Sequence, residues 1–596
     1  MISARKSRDS YSSRSGSRIR VYRSDSPVLK MTDSRKEDPG RKGGQKLKII
    51  VLGGLEEVGR NMTVLEYGRD ILIIDMGLQF PEEDMPGIDY IIPNISYLRG
   101  REKSIRGVII THGHYDHIGG IPHLIPKLGN PPIYATPLTL GIISKRQEDY
   151  RNHQKPNLNP VETSSKLVLG KFKVEFFGVS HNIPGSLGII IRTPMGVVVH
   201  TGDFKLDLQP SGDTEPEIAK IAKLSEEHVL ALMSDSTNAP QPGHQFTEKE
   251  IEGNLEDIIR TSTGRIIIGT FSSLLGRVQQ IIKLAEKYNR KVVVDGYSMK
   301  TNIEIAQKLG YLTIGKGTLV PLSEIHNYPS RRIIVLCTGA QGEGRAVLMR
   351  IANREHKSIR IEPGDTVVFS SSVVPGNERA VQRLVDNLYR EGAEVINYRM
   401  MDIHAGGHAK QEDLKLMIKL INPKYFIPIE GNHSFLKIHA KVAESLGFDP
   451  KNIFVADNGQ VMEFTKTSGR LTNKKVPSDY VMVDGLGVGD VSNVVLRDRQ
   501  MMSADGMLVV IATIEGKTGN IIGNPDIISR GFVYMKNSKR LIAETREKVK
   551  KILKDKNANT SANDAYIKNK IRDDIGQFLF TKTQRRPMIL PVVIEV

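Results

Sequence analysis

Short apolar runs recur from residue 47 onward: Leu47-Lys-Ile-Ile-Val-Leu, Met62 to Tyr67, Ile71-Leu-Ile-Ile, Gly107-Val-Ile-Ile-Thr, Phe172 to Phe177, Ser186-Leu-Gly-Ile-Ile-Ile, Val197-Val-Val and Leu230-Ala-Leu-Met. They have strand length and are rich in β-branched residues, so they predict strands of a well-buried sheet. The rhythm changes near residue 244. Helical stretches, Glu248 to Thr261 and Arg277 to Tyr288, then alternate with apolar runs at Arg265 to Gly269, Lys291 to Asp295 and Arg332 to Thr338. That alternation predicts a second α/β domain. A helix over Gln411 to Ile421 and a strand over Lys424 to Ile429 follow. Ser468 to Pro477 is polar and basic and reads as a linker, and strands with a long charged helix, Lys539 to Lys554, predict a small α+β domain from Tyr480 to Val596. The first 46 residues are rich in Ser, Arg, Lys, Asp and Gly, poor in large apolar side chains, and are expected to be a disordered arm.

Length and charge refine this picture. A chain of 596 residues is too long for one core, so two to four domains are expected. Of the net charge of +17, residues 1–46 contribute 13 Lys/Arg against 5 Asp/Glu, which leaves the rest only mildly basic. A polyanionic partner is therefore permitted but not required, and the arm is either a salt-dependent aid to nucleic-acid binding or a dispensable extension. No apolar run of about 18 residues predicts a membrane span, and the charged N-terminus has no secretory pattern. A single cysteine, Cys337, rules out an internal disulfide and fits a cytoplasmic location.

The chemistry concentrates in Thr111-His-Gly-His-Tyr-Asp-His117. His112, His114, Asp116 and His117 follow a strand and precede an apolar-periodic segment, so they sit on a strand-to-helix loop that can aim side chains at one point. Imidazole with carboxylate suits zinc or manganese better than calcium or magnesium. His181 and Asp203 also lie just past strands, and Asp75 and Asp235 end strands. A parallel or mixed sheet would bring such ends to one edge. His112, His114, His181 and Asp203 could then hold one ion, with Asp203 bridging to a second beside Asp116 and His117. Asp75 could orient an imidazole from behind. His123 and His200 read as structural. The loops Thr338-Gly-Ala-Gln-Gly-Glu-Gly and Ser370-Ser-Ser-Val-Val-Pro-Gly-Asn-Glu could approach phosphates with their N–H groups or be ordinary βα turns. The Gly53-Gly-Leu-Glu-Glu-Val-Gly loop is followed by strands, which disfavours a dinucleotide fingerprint.

The His-x-His-x-Asp-His pattern resembles the metallo-β-lactamase superfamily. Together with Gly53-Gly-Leu-Glu-Glu-Val-Gly-Arg-Asn-Met, Gly202-Asp-Phe-Lys, Ser234-Asp-Ser-Thr-Asn, Pro363-Gly-Asp-Thr-Val, Pro375-Gly-Asn-Glu, His404-Ala-Gly-Gly-His408, Ser529-Arg-Gly-Phe-Val-Tyr and Arg585-Arg-Pro-Met-Ile-Leu-Pro, the chain from about Lys46 onward resembles ribonuclease J, of the β-CASP branch. The resemblance implies an α/β fold: a metallo-β-lactamase αββα sandwich (47–243 and 401–467) interrupted by a β-CASP domain (244–400), then a linker (468–479) and a C-terminal domain (480–596). It implies a ribonuclease that digests single-stranded RNA 5′ to 3′ from a 5′-monophosphate and also cuts internally. Two Zn2+ ions are implied per subunit, with Mn2+ or Mg2+ possible at the second. A homodimer or homotetramer and RNA-degradosome partners are also implied, with no membrane.

Carried over by motif, Asp235 and His408 would be catalytic, and His404, Ala405, Gly406, Gly407, His408 and Ser273 would contact substrate. The chain departs from the family at three places: Gly406 stands where Ser is usual, Ser-Leu-Leu-Gly-Arg277 where Ser-Asn-x-His-Arg is usual, and Glu430 where a metal-binding His is usual. Glu430 is expected to serve as a ligand through oxygen, in preference to a re-routed His433. These departures motivate a second reading, an RNA-binding degradosome subunit with weakened catalysis. A DNA-directed nuclease of the same branch is disfavoured by the C-terminal motifs.

Overall fold

A computed structural model describes residues 45–596, apart from positions 83, 151–153, 211–213, 345, 372, 374–376, 398–400, 402, 517–519, 534–537 and 555–563. The expected arm over residues 1–46 lies, up to residue 44, outside the described residues, as does part of the 370–378 loop.

Two sheets form the body. The first has eight strands, in the order Gly469–Lys475, Gln460–Phe464, Leu47–Gly53, Met62–Tyr67, Asp70–Ile74, Ile105–Ile109, Ile133–Ala135 and Leu158–Pro160. The second has six, in the order Tyr425–Ile429, Val229–Asp235, Gly196–His200, Leu187–Thr193, Phe172–Gly178 and Lys166–Leu169. Leu47, Ile49, Leu72 and Ile109 of the first pack against Phe176, Ile189, Val198 and Ile427 of the second. The outer face of the second sheet, with Ile190, Val199 and Leu232, is covered by Leu414, Met417 and Ile421 of helix Gln411–Ile421. Coverage of both faces explains why these strands read as near-continuous apolar runs rather than alternating ones.

The inserted unit is a parallel sheet of five strands, ordered Lys291–Asp295, Ile333–Cys337, Ile266–Gly269, Thr366–Phe369 and Glu394–Asn397. Helix Glu248–Thr261 opens on a capping box between Thr247 and Glu250 and buries Ile251, Leu255 and Ile258. The chain then returns to both body sheets through Tyr425–Ile429 and Gln460–Phe464. A separate three-stranded sheet, Ile521–Arg530, Met507–Ile514 and Met588–Glu595, carries helices Lys539–Lys554 and Asp564–Thr583.

The linker expectation is corrected. Gly469–Lys475 is the edge strand of the eight-stranded sheet, antiparallel to Gln460–Phe464. Its Lys and Arg side chains face solvent, as suits an exposed sheet edge, and that charge made it resemble a linker. Val481–Asp484 pairs with Tyr90–Ile92, so the stretch just after residue 480 belongs to the body rather than to the C-terminal unit.

Candidate metal centre

Strand direction builds the site. Asp70–Ile74 and Ile105–Ile109 run parallel, so Asp75 and the His112–His117 loop leave the same edge of the first sheet. In the second sheet Gly196–His200, Val229–Asp235 and Tyr425–Ile429 run parallel, which brings Asp203, Asp235 and Glu430 to one edge. Phe172–Gly178 reaches that edge through two antiparallel steps and delivers His181. The two edges face each other across the sandwich.

At the centre, His114 Nδ1 lies 3.0 Å from His112 Nε2 and 3.0 Å from His181 Nε2. Asp203 Oδ2 stands 3.7 Å from both of those Nε2 atoms and 3.3 Å from His117 Nε2, which in turn is 3.4 Å from Asp116 Oδ2. The far nitrogen of each imidazole is occupied. His117 Nδ1 meets Asp75 Oδ2 at 2.8 Å, His181 Nδ1 meets the Gly407 carbonyl at 2.7 Å, His114 Nε2 meets Ser273 Oγ at 2.9 Å, and His112 Nδ1 meets Thr111 Oγ1 at 3.1 Å. Thr111 donates its hydroxyl to Asp75 Oδ2 and its N–H to Asp75 Oδ1. With their rear nitrogens so engaged, His112, His114 and His181 bring their forward nitrogens together, an arrangement a cation between them relieves.

The electrostatics agree with that reading. Burial pushes His112 and His181 well below the ordinary imidazole value and His114 down to about 4, so these rings are neutral, as metal ligation requires. Burial also works against charge on His117, yet Asp203, Asp116 and Asp75 outweigh it and hold the ring protonated. Burial together with Asp203 raises the Glu430 carboxyl well above its usual range, and the two carboxyl groups share a hydrogen bond. Asp203 Oδ1 and Glu430 Oε2 are buried without a hydrogen-bond partner among the described residues. Protons thus stand where cations would neutralise this carboxylate-rich site, and the residues present fit a metal pair. Two ligand sets lie within mutual reach: His112, His114, His181 and Asp203, and Asp116, His117 and Asp203.

His408 borders the cluster. Its Nδ1 is 2.8 Å from Asp235 Oδ2 and 3.9 Å from Asp203 Oδ2. Burial opposes the charge, but Asp235 and Asp203 lift the ring to about 9. Of the neighbouring loop, His404 and Ala405 are buried, while Gly406 and His408 are partly open. Gly407 sits so close to His181 that a Cβ would stand 2.5 Å from its Cε1. Ser273 reaches the cluster from the inserted unit and takes a place behind His114. Glu430 has φ 57 and turns inward, whereas His433 is half-exposed, 3.4 Å from Glu56. His123 bonds the Tyr90 hydroxyl and His200 accepts the Gly202 N–H.

Several contributors had no role assigned from sequence. Asn61 Nδ2 lies 3.0 Å from His117 Nε2, and Thr111 ties two ligands to Asp75. Asn238 and Gln245 amides donate to the His408 carbonyl. Behind the site, buried Lys205 and Arg277 each bond Glu248, and Arg277 also bonds Ser370 and the Ile403 carbonyl. Only a polar residue beside a motif marks any of these in the sequence.

A sandwich of two facing sheets, with a histidine–carboxylate cluster where their parallel strands end, defines a metallo-hydrolase of the metallo-β-lactamase type. Residues 55–237 match the metallo-beta-lactamase superfamily, and residues 393–456 match a Zn-dependent metallo-hydrolase RNA specificity domain. Residues 263–388 match the ribonuclease J beta-CASP domain and 494–596 the ribonuclease J C-terminal domain. The chain belongs to the ribonuclease J family and is a hydrolytic, RNA-binding ribonuclease. It is 39% identical to ribonuclease J2 of Bacillus subtilis, covering 93% of this chain and 100% of the relative. Identity to ribonuclease J 1 of Streptococcus pyogenes is 41%, covering 92% and 97%. A crystal structure of a protein of unknown function from Enterococcus faecalis shares the fold at TM-score 0.51 and 15% identity, covering 70% of this chain and all of the other. Among the described residues no helix is long and apolar enough to cross a membrane.

Proposed function

We propose that this chain is a metal-dependent exo- and endoribonuclease that digests single-stranded RNA 5′ to 3′, prefers a 5′-monophosphate end, and serves RNA maturation and decay in the cytoplasm. The observation that carries the catalytic part is the convergence of three neutral imidazoles on one point, with Asp203 linking them to His117 and Asp116. The end preference and direction rest on the family resemblance.

His112, His114, His181 and Asp203 would hold one zinc, and Asp116, His117, Asp203 and Glu430 the second ion. Such a pair, when bound, supplies hydroxide at neutral pH and neutralises charge on the phosphoryl group. The chain's own residues do the rest. Asp75, Thr111, Ser273 and the Gly407 carbonyl keep the imidazoles in the ligating tautomer. His408, held by Asp235 and protonated at neutral pH, donates a proton to the departing 3′-oxygen. Gly406 and Gly407 bring backbone close to where a phosphate would lie.

The test uses purified protein with zinc, manganese or magnesium on labelled RNA and DNA carrying a 5′-monophosphate, triphosphate or hydroxyl. Mononucleotides released from monophosphorylated RNA alone are the expected result. The His112→Ala/His114→Ala variant should lose cleavage while keeping its fold; wild-type rates in that variant would overturn the assignment. Binding without cleavage under every metal would support instead the reading as an RNA-binding degradosome subunit, which the Glu430 substitution motivates. A homodimer or homotetramer is proposed as the working form, to be checked by light scattering.

A further inference from the structure

Tyr115 stands between His114 and Asp116 in the metal-binding loop, yet it offers the cluster no ligand. Its Cα lies about 3.8 Å from the Cα of each neighbour. Its side chain turns outward and is 42% exposed, whereas His117, two residues on, is fully buried. Arg146, at the end of helix Pro137–Gln147, lies against one face of the ring, with its Cζ 4.6 Å from the centroid. The rings of Tyr90 and Tyr150 lie 5.9 Å from the same Cζ. Arg146 is less exposed than Tyr115, and its Nε is buried without a hydrogen-bond partner among the described residues. The guanidinium therefore covers the inner face of the Tyr115 ring and leaves the outer face to solvent. Arg146 Nη2 donates to the Gly119 carbonyl at 3.3 Å, and among the described residues no carboxylate pairs with it; the nearby Glu148 is taken by Lys145. Aromatic rings rather than an acid hold this cation, so its charge is uncompensated.

The place is also where the two catalytic domains adjoin. Helix Pro137–Gln147 packs on helix Tyr297–Lys308 of the inserted unit, with Gly141 facing Ile305. The second of these helices is tied to the loop behind His114, because Asn302 donates its amide to the Ser272 carbonyl next to Ser273. A strand with one phosphate at the cluster thus has a neighbouring nucleotide within reach of Tyr115. We propose that the outer face of Tyr115 is a stacking platform for one base of single-stranded RNA beside that phosphate, and that Arg146 fixes the ring and attracts the strand's backbone. This rests on the ribonuclease reading above. Every base has a π face, so such a contact holds the strand in place without reading its sequence. The covered inner face limits the platform to a single base.

The test uses the full-length, zinc-loaded protein carrying His408→Ala, so that RNA stays intact. Binding is read by fluorescence anisotropy with a 5′-monophosphorylated oligoribonucleotide and with a series that lacks one base at a time. Loss of the base at a single position should weaken binding about tenfold, and Tyr115→Ala should weaken binding of the intact RNA by a similar factor. In the Tyr115→Ala protein, loss of that same base should then cost nothing further. Tyr115→Phe should bind as the parent does, and Tyr115→Leu should behave like Tyr115→Ala. Arg146→Gln should reduce the slope of log Kd against log salt by about one. Zinc content by mass spectrometry guards against loss of a ligand; if Tyr115→Ala sheds zinc, Tyr115→Leu carries the comparison. Unchanged affinity in the Tyr115 variants, or a Tyr115→Ala protein that stays as sensitive to every missing base as its parent, would overturn the proposal. With His408 restored, RNA left uncut under zinc, manganese and magnesium would sink the nuclease reading and leave the stacking result standing.

Discussion

Ser273 and Asp235 each act on one nitrogen of one histidine, and each can be tested alone. Ser273 Oγ lies 2.9 Å from His114 Nε2, and Nδ1 faces the cluster. Ser273→Ala is expected to lower zinc affinity at the first position by about tenfold, measured by competition with a chromophoric chelator. For His408 the sign follows from its raised value, about 9 against an ordinary 6.5. The protonated ring stabilises the fold fully below pH about 6.5, and that contribution fades as pH rises through about 9. Asp235→Asn removes the foremost of the carboxylates that hold it up. NMR titration of the metal-free variant should show the His408 midpoint displaced downward, and the alkaline limb of the cleavage rate should move to lower pH. An unmoved midpoint would show that Asp235 does not set this proton.

The elements matter because they make these contacts rigid. Gly407 lies where the return to the sandwich passes over His181, and its carbonyl accepts from His181 Nδ1. Gly407→Ala would force the imidazole aside, since the added carbon would meet ring atoms at 2.5 and 2.6 Å. A loss of about 1–3 kcal/mol in urea unfolding and weaker retention of the first zinc are expected. Helix Glu248–Thr261 presents Glu248 to Lys205, two residues past Asp203, and to Arg277, at the start of the helix that follows Ser273. Both cations are fully buried. Glu248→Ala strands them and should cost about 3–5 kcal/mol, read by urea denaturation, because a buried charge loses its partner. The network ties the inserted unit to the segment that follows Asp203.

For the molecule as a whole, the metal centre lies where two sheets and an inserted domain meet, so ion binding is coupled to folding. Exhaustive chelation should lower the melting temperature and abolish cleavage, and zinc should restore both. An ion present at about a hundred times its dissociation constant contributes about 2.7 kcal/mol. Scanning calorimetry with and without chelator would check this; an unchanged melting curve would mean that the cluster holds no ion in solution.

Much of the architecture was legible. Apolar runs with both faces covered announced the sandwich strands, and the switch to βαβ rhythm announced the inserted sheet. The His112–His117 loop was legible because four metal-binding side chains fall within six residues. His181 and Asp203 could be picked out because each lies just past a strand, and Asp235 because it ends one. The strand Gly469–Lys475 was misread because an edge strand carries charges for the same reason a linker does: both face water.

By itself the chain order determined which side chains could ligate and which long apolar runs would be strands, since these depend on local composition and period. Only the tertiary structure decided which strand ends share an edge. It set Ser273 of the inserted unit behind His114, joined Lys205 and Arg277 through Glu248, and turned Glu430 rather than His433 toward Asp203. Those outcomes depend on parallel registry and burial between residues up to hundreds of positions apart, which no local pattern encodes.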